Sequence, residues 1–201
     1  MDETLIRQAA AGDHNAFAAL LAAYQKPVYN LALRMTGSPD DALDLSQEAF
    51  LRAWRGLSSY RFDASFSTWL YRLAGNVCID FLRRRKKQNT IPLYYTDEED
   101  EEQELPLPHP APNTEDQALL HLEQNQISEA MAKLEPEYRQ ALILRVIDGL
   151  SYAEIAAAMD IPEGTVKSRI ARAREKMRRL LKKTGNISPA PSSKRKKGGP
   201  R

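Results

Sequence analysis

The sequence predicts an all-α protein of two helical domains joined by a flexible linker, the C-terminal one a helix-turn-helix. Three observations lead there. Apolar residues recur every three or four positions over two long stretches, 17–35 and 66–81, the period of a helix with one buried face. From 88 to about 113 that period vanishes into carboxylates and then Pro106, Pro108, Pro110 and Pro112. Over 151–182 a short capped segment, a tight turn and a strongly basic segment follow one another. The expected layout is a first domain over 1–88, a linker over 89–113, a second domain over 114–184 and a disordered basic tail over 185–201.

Each element has its own signal. Phe17, Leu20, Leu21, Tyr24, Val28, Leu31, Ala32 and Met35 form one stripe on a long helix, with Pro27 a candidate kink and Gly37 its end. Ser38-Pro39-Asp40-Asp41 is a helix start: a cap, a proline in the first turn, then carboxylates at the positive end of the dipole. That helix is expected to run to Arg55, with Gly56 terminating it. After a loop from Ser58 to Ser65, Phe66, Leu70, Leu73, Val77 and Phe81 mark the core face of a third helix that ends in Arg83 to Lys87. Past the linker, Thr114-Glu115-Asp116-Gln117 reads as a capping box, with Leu119, Leu122, Ile127, Met131 and Leu134 following on one face. A further helix starts near Pro136 and stops at Gly149. Ser151-Tyr152-Ala153-Glu154, a second capping box, opens a short helix to Met159. Asp160 to Gly164 make the turn, and Thr165 opens the last helix, to about Lys182.

Bulk composition narrows the function classes. The net charge of +2 hides strong segregation: Asp97 to Glu104 holds seven carboxylates in eight residues, Arg83 to Lys87 are five consecutive cations, and Lys167 to Lys183 carry nine basic side chains against one acid. Such blocks point to polyanion-binding surfaces separated by an acidic spacer. The lone Cys78 excludes an intramolecular disulfide and fits a reducing cytoplasm. Met1 to Gly12 lacks a signal-peptide pattern and no apolar run approaches the ~20 residues of a membrane span, so the expectation is a cytoplasmic protein without membrane insertion. His14, His109 and His121 are scattered, with no Cys/His metal spacing, nucleophile–base pair or glycine-rich phosphate loop; an enzyme, a metal and a cofactor are not expected.

Two segments carry recognition chemistry. In the helix-turn-helix, Ile155, Met159, Ile161, Val166 and Ile170 are spaced to hold the two helices together, leaving Lys167, Ser168, Arg169 and Arg172 for base edges and phosphates of a DNA major groove. Arg174, Lys176, Arg178 and Arg179 lie further along, suited to phosphates or solvent. In the first module, Tyr60, Phe62, Phe66, Trp69 and Tyr71 are interleaved with Arg61 and Arg72 ahead of the Arg83–Lys87 run, a pattern that suits single strands whose bases stack on rings while cations track the backbone. Phe66 belongs to the apolar stripe. For Trp69, Tyr60 and Phe62, core packing and base stacking both remain open.

These residues also match a family. Asp44-Leu45-Ser46-Gln47-Glu48-Ala49-Phe50, followed by Arg52-Ala53-Trp54, resembles the sigma-factor segment that binds the clamp helices of the RNA polymerase β′ subunit. Phe66 to Asn76 resembles the segment that melts and reads the −10 element. Gly149-Leu150-Ser151-Tyr152, Glu154-Ile155-Ala156 and Gly164 to Arg169 resemble the −35-reading helix-turn-helix. The resemblance spans about residues 5 to 183 and, with nothing long between the modules, is to the two-domain extracytoplasmic-function group. It implies RNA polymerase core (β′ clamp helices and β subunit), duplex and single-stranded promoter DNA, and an anti-sigma factor as partners. It implies that Asp44, Gln47, Glu48 and Leu51 meet polymerase, and that Tyr60, Arg61, Phe62, Trp69, Arg72, Asn76, Arg83 and Arg84 hold the −10 strand. Thr165, Lys167, Ser168, Arg169 and Arg172 would read the −35 duplex. The acidic linker then either mimics an RNA backbone inside the polymerase channels or is a solubilising spacer. The Lys194 to Lys197 run adds weak salt-sensitive DNA attraction or nothing. The competing reading is a helix-turn-helix regulator that binds duplex DNA without polymerase.

Overall fold

The computed structural model describes residues 3–88 and 115–183, which hold eight α-helices and no strand. The Thr114 cap, the acidic and proline-rich segment and the basic tail lie outside the described residues. Helix α1 (Glu3–Ala10), which no sequence signal singled out, buries Ile6 and Ala9. Helix α2 (His14–Thr36) is capped by Asp13, whose carboxylate accepts from the Asn15 and Ala16 amides, and it runs unbroken through Pro27 to an αL Gly37 at φ 78°. Ser38 caps α3 (Pro39–Gly56), its hydroxyl accepting from the Asp41 amide at 3.2 Å. A 3-10 turn (Leu57–Ser59) and the loop to Ser65 lead into α4 (Phe66–Gln88).

These helices close a first core around Leu20, Leu31, Met35, Leu57 and Leu70, all essentially inaccessible. Leu73 and Phe81, expected on the core face of α4, are only partly buried.

The second module comprises α5 (Glu115–Ala132), α6 (Pro136–Val146), α7 (Tyr152–Met159) and α8 (Glu163–Lys183). Helix α6 buries six consecutive residues, Arg139 to Leu144. Six residues make more than one full turn at 3.6 per turn, so α6 is covered on every side. Its cover comes from α8 and α7 of its own module and from α2 and α4 of the first. The two modules therefore share one continuous core. Ile127 departs from the expected stripe and is half exposed, because α5 meets α8 through its last turn, around Ala130 and the following Leu134.

Helix α7 starts with a reciprocal cap. The Ser151 amide donates to the Glu154 carboxylate at 2.8 Å while the Glu154 amide donates to the Ser151 hydroxyl at 3.2 Å. The Ser151 hydroxyl also donates to that carboxylate at 2.7 Å, and this hydrogen bond above all holds Glu154 below the usual carboxylate range. The Ser151→Ala substitution is expected to cost about 1 kcal/mol, read from denaturant unfolding. A depressed folded-state carboxylate stabilises fully at neutral pH and loses its contribution as pH falls through the depressed value. Glu154→Gln should therefore flatten part of the acid limb of a melting-temperature profile.

Candidate nucleic-acid and polymerase interface

Three separate surfaces carry the residues singled out by sequence. The first is the helix-turn-helix. Ile155, Ala158, Val166 and Ile170 are buried between α7 and α8, and Met159 and Ile161 pack partly against them. Asp160 takes the left-handed conformation at φ 52°, which turns the chain between the helices. Lys167, Ser168 and Arg172 stand exposed on α8, and Thr165 and Arg169 are half-buried. Ser168 donates to the Thr165 carbonyl at 2.9 Å, and Arg172 reaches the Tyr138 hydroxyl at 3.4 Å. Lys167 Nζ lies 5.6 Å and the Arg145 guanidinium 4.8 Å from the Tyr152 ring centroid, so two cations gather at the front of the motif. Further along, Arg178 and Arg179 pair with Glu175, and Lys176 with Glu135 at 2.9 Å. At the front Lys167 faces Glu163 at 3.7 Å, so both ends of α8 carry cations in excess of their acid partners.

The second surface is the aromatic loop. Tyr60 lies at its centre, 4.6 Å from Phe62, 5.2 Å from Trp69 and 6.0 Å from Phe66 between ring centroids. Burial pushes the Tyr60 hydroxyl up, with a smaller contribution from Glu3. Trp69 is buried among these rings, whereas Tyr60 and Phe62 are only partly covered. Phe62 holds φ at 62°, a left-handed state that costs an L-residue roughly 1–2 kcal/mol, under the Arg7 guanidinium at 4.5 Å. Tyr60, Arg61, Trp69 and Arg72 line one cleft of about 420 Å³, whose other wall carries Ala157 and Asp160 of the helix-turn-helix. Asn76 is exposed elsewhere on α4, Arg83 pairs with Glu137, and exposed Arg84 donates to the Asp80 carbonyl at 3.3 Å.

The third surface is α3. Asp44, Gln47, Glu48 and Leu51 fall at i, i+3, i+4 and i+7, one strip along the helix. The strip is a ridge between two hollows. Asp44 and Glu48 line one with Arg52 of the same helix and Arg84 of α4, and Glu48 pairs with Arg52 at 2.7 Å. Gln47 and Leu51 line the other, an apolar groove of about 800 Å³ shared with Phe17, Tyr29, Phe50 and Trp54. Sequence reasoning missed this groove. Its signal was Leu43 and Leu51, two leucines on the polar side of α3 that stay half exposed.

A compact module with an aromatic–cationic loop, tied to a basic helix-turn-helix, defines a two-module DNA-binding transcription factor. The family model described as "Sigma-70 region 2" matches residues 20–88, and that described as "Sigma-70, region 4" matches 124–177. The ECF RNA polymerase sigma factor SigW of Bacillus subtilis (strain 168) is 38% identical over 191 residues, covering 88% of this chain and 95% of that protein. The ECF RNA polymerase sigma-E factor of Escherichia coli (strain K12) is 38% identical over 177 residues, covering 87% and 91%. The chain belongs to the ECF RNA polymerase sigma factors. Among solved structures, CnrH in complex with the cytosolic domain of CnrY is similar at TM-score 0.65 and 26% identity, covering 90% of this chain and 97% of that one. The sigma factor RpoE in complex with the anti-sigma factor NepR, from Bartonella quintana, is similar at 0.61 and 26%, covering 83% and 96%.

Neighbouring residues on α3 separate buried packing from the exposed surface. Phe50→Ala removes a buried ring and should cost roughly 3–5 kcal/mol of stability. Leu51→Ala, next to it, should move stability by no more than about 0.5 kcal/mol. Denaturant unfolding of both variants checks the contrast.

Proposed function

We propose that this chain binds RNA polymerase core and directs promoter-specific initiation by reading −10 and −35 elements, with the polymerase supplying all chemistry. The observation that carries this reading is the match to both sigma-70 regions, in order, on one chain whose relatives align over nearly their whole length. A regulator acting without polymerase explains the helix-turn-helix and leaves the region 2 match over 20–88 without a role.

The residue roles follow from chemistry. The strip Asp44, Gln47, Glu48 and Leu51 offers two carboxylates, an amide and an exposed leucine, a mixed surface of the kind that docks on a protein with basic and apolar side chains. Tyr60 and Phe62, backed by the buried Trp69, with Arg61, Arg72 and Asn76 around them and Arg83 and Arg84 beyond, give unpaired bases rings to stack on and the backbone cations to follow. Lys167, Ser168, Arg169, Arg172 and Thr165 present donors at the front of α8 to a major groove. The NepR complex of a similar sigma factor supports an anti-sigma partner for this chain too. Among the described residues no helix is long and apolar enough to cross a membrane.

Run-off transcription with bacterial core polymerase on genomic promoter fragments tests the reading. Specific transcripts should appear only with this protein and disappear with Asp44→Ala/Gln47→Ala. If core is never recruited while the chain alone binds duplex DNA, the regulator is the better account. In the same system, Lys167→Ala should weaken promoter binding and lower the salt slope of the affinity by about 1, as for the loss of one phosphate contact.

A further inference from the structure

Helix α1 precedes residue 20, where the region 2 match begins, so that match assigns it no role. It nevertheless packs on α2 and on the 3-10 turn that leads into the aromatic loop, anchored by buried Ile6 and Ala9. Glu3 and Ile6 form one wall of a hollow of about 370 Å³ whose other walls carry Tyr24, Tyr60 and Phe62. One turn on from Glu3, Arg7 stays exposed and sets its guanidinium 4.5 Å from the Phe62 ring centroid. Its Nε, at 3.1 Å, and an Nη both donate to the same Glu3 carboxylate oxygen. An i, i+4 pair with the carboxylate on the N-terminal side is the favourable order on a helix, and it fixes where the guanidinium points.

Phe62 is the strained point of the loop. Among the described residues, Asp160 and Phe62 are the two other than glycine that take a positive φ. An aspartate tolerates the left-handed region because its short polar side chain can bond to nearby backbone; a phenylalanine has no such bond to make. The loop is tied on either side of this residue. The Tyr60 hydroxyl donates to the Ala64 carbonyl, and the Ser65 hydroxyl accepts from the Thr68 amide at 3.2 Å where α4 begins. With both flanks held, φ at Phe62 sets the direction of Arg61 before it and Asp63 after it. What offsets the strain is what the ring touches: Tyr60 at 4.6 Å and the Arg7 guanidinium.

We propose that Arg7 is a positioning residue for −10 recognition: steadied by Glu3, its guanidinium on the Phe62 ring keeps the loop in the left-handed turn that presents Tyr60 and Arg61 to the single strand. This rests on the assignment of that loop under the proposed function. The ion pair with Glu3 leaves Arg7 little net charge to spend on a phosphate, so it acts through Phe62 and not on the DNA.

The test compares Arg7→Gln and Arg7→Lys with the unsubstituted full chain. In the free protein, 15N order parameters at Arg61 to Ala64 should fall from about 0.85 towards 0.6 in Arg7→Gln and stay high in Arg7→Lys, which keeps a cation over the ring. In complex with core polymerase, affinity for a fluorescent single-stranded oligonucleotide spanning the −10 element of a transcribed fragment should drop roughly two- to fivefold in Arg7→Gln, the size of one exposed cation–π contact. The salt slope of that affinity should not change. On a Phe62→Gly background, where there is no ring to hold and the left-handed turn carries no steric cost, Arg7→Gln should weaken binding no further. Unchanged order parameters in Arg7→Gln would overturn the proposal. So would a salt slope lowered by about 0.7, the mark of a lost phosphate contact on a single strand, or an equal loss of affinity on the Phe62→Gly background. If the unsubstituted chain never joins core polymerase, the sigma reading fails there, while the order parameters still report on the hold of Arg7 over the loop.

Discussion

The fold turns on one buried cation. Arg139 lies 5% exposed in the middle of the molecule, with no carboxylate against it among the described residues and its charge met by the carbonyls of Met35, Ala132 and Leu134. Two of these sit at helix ends: Met35 one residue before α2 closes, Ala132 on the last residue of α5. The last four carbonyls of a helix lack internal partners and carry its negative dipole end, so a guanidinium there satisfies orphan acceptors and opposes the dipole in one step. Burial alone lowers the Arg139 pKa, which for a guanidinium still leaves it protonated. Removing the charge would strand acceptors from both modules together, since α2 belongs to one and α5 to the other.

Around this centre the recognition surfaces need little structure of their own. The loop rings are held by one another and by Arg7, with the strain of Phe62 offset by that packing. The front of α8 is exposed because Val166, Ile170 and Ala173 face inward, which leaves Lys167, Ser168 and Arg172 outward by helical period alone. The α3 ridge works likewise: Leu45, Ala49, Phe50 and Ala53 are buried, and Asp44, Gln47 and Leu51 take the opposite side.

Local chemistry was legible in the sequence, and long-range chemistry was not. Caps at Ser38 and Ser151 read correctly because a cap is a contact across three residues. The helix-turn-helix core was equally legible, since Ile155, Val166 and Ile170 are close in the chain as well as in space. Ile127 was misplaced because its stripe was read from spacing, whereas α5 packs on α8 around Ala130 and the following Leu134. Trp69, left open between core and base stacking, is packed in this arrangement, while Tyr60 and Phe62 remain partly covered. The shared core escaped notice because its markers are a glycine inside α4 and a polar pair, Arg139-Gln140, that reads as surface. Their partners are 65 and 104 residues away, at the Gln140–Gly75 and Arg139–Met35 contacts.

Because Arg139 is answered by carbonyls and buried from solvent, its bonds among the described residues involve no titrating acid and have little exposure to mobile ions. Ionic strength therefore acts unequally on this molecule. It screens the exposed cations of α8 and reaches the partly exposed Arg34–Asp148 and Arg83–Glu137 pairs at the rim. The central tie between the modules is screened far less, so rising salt reaches the outward-facing charges of α8 well before it reaches the bonds that join the two halves of the protein.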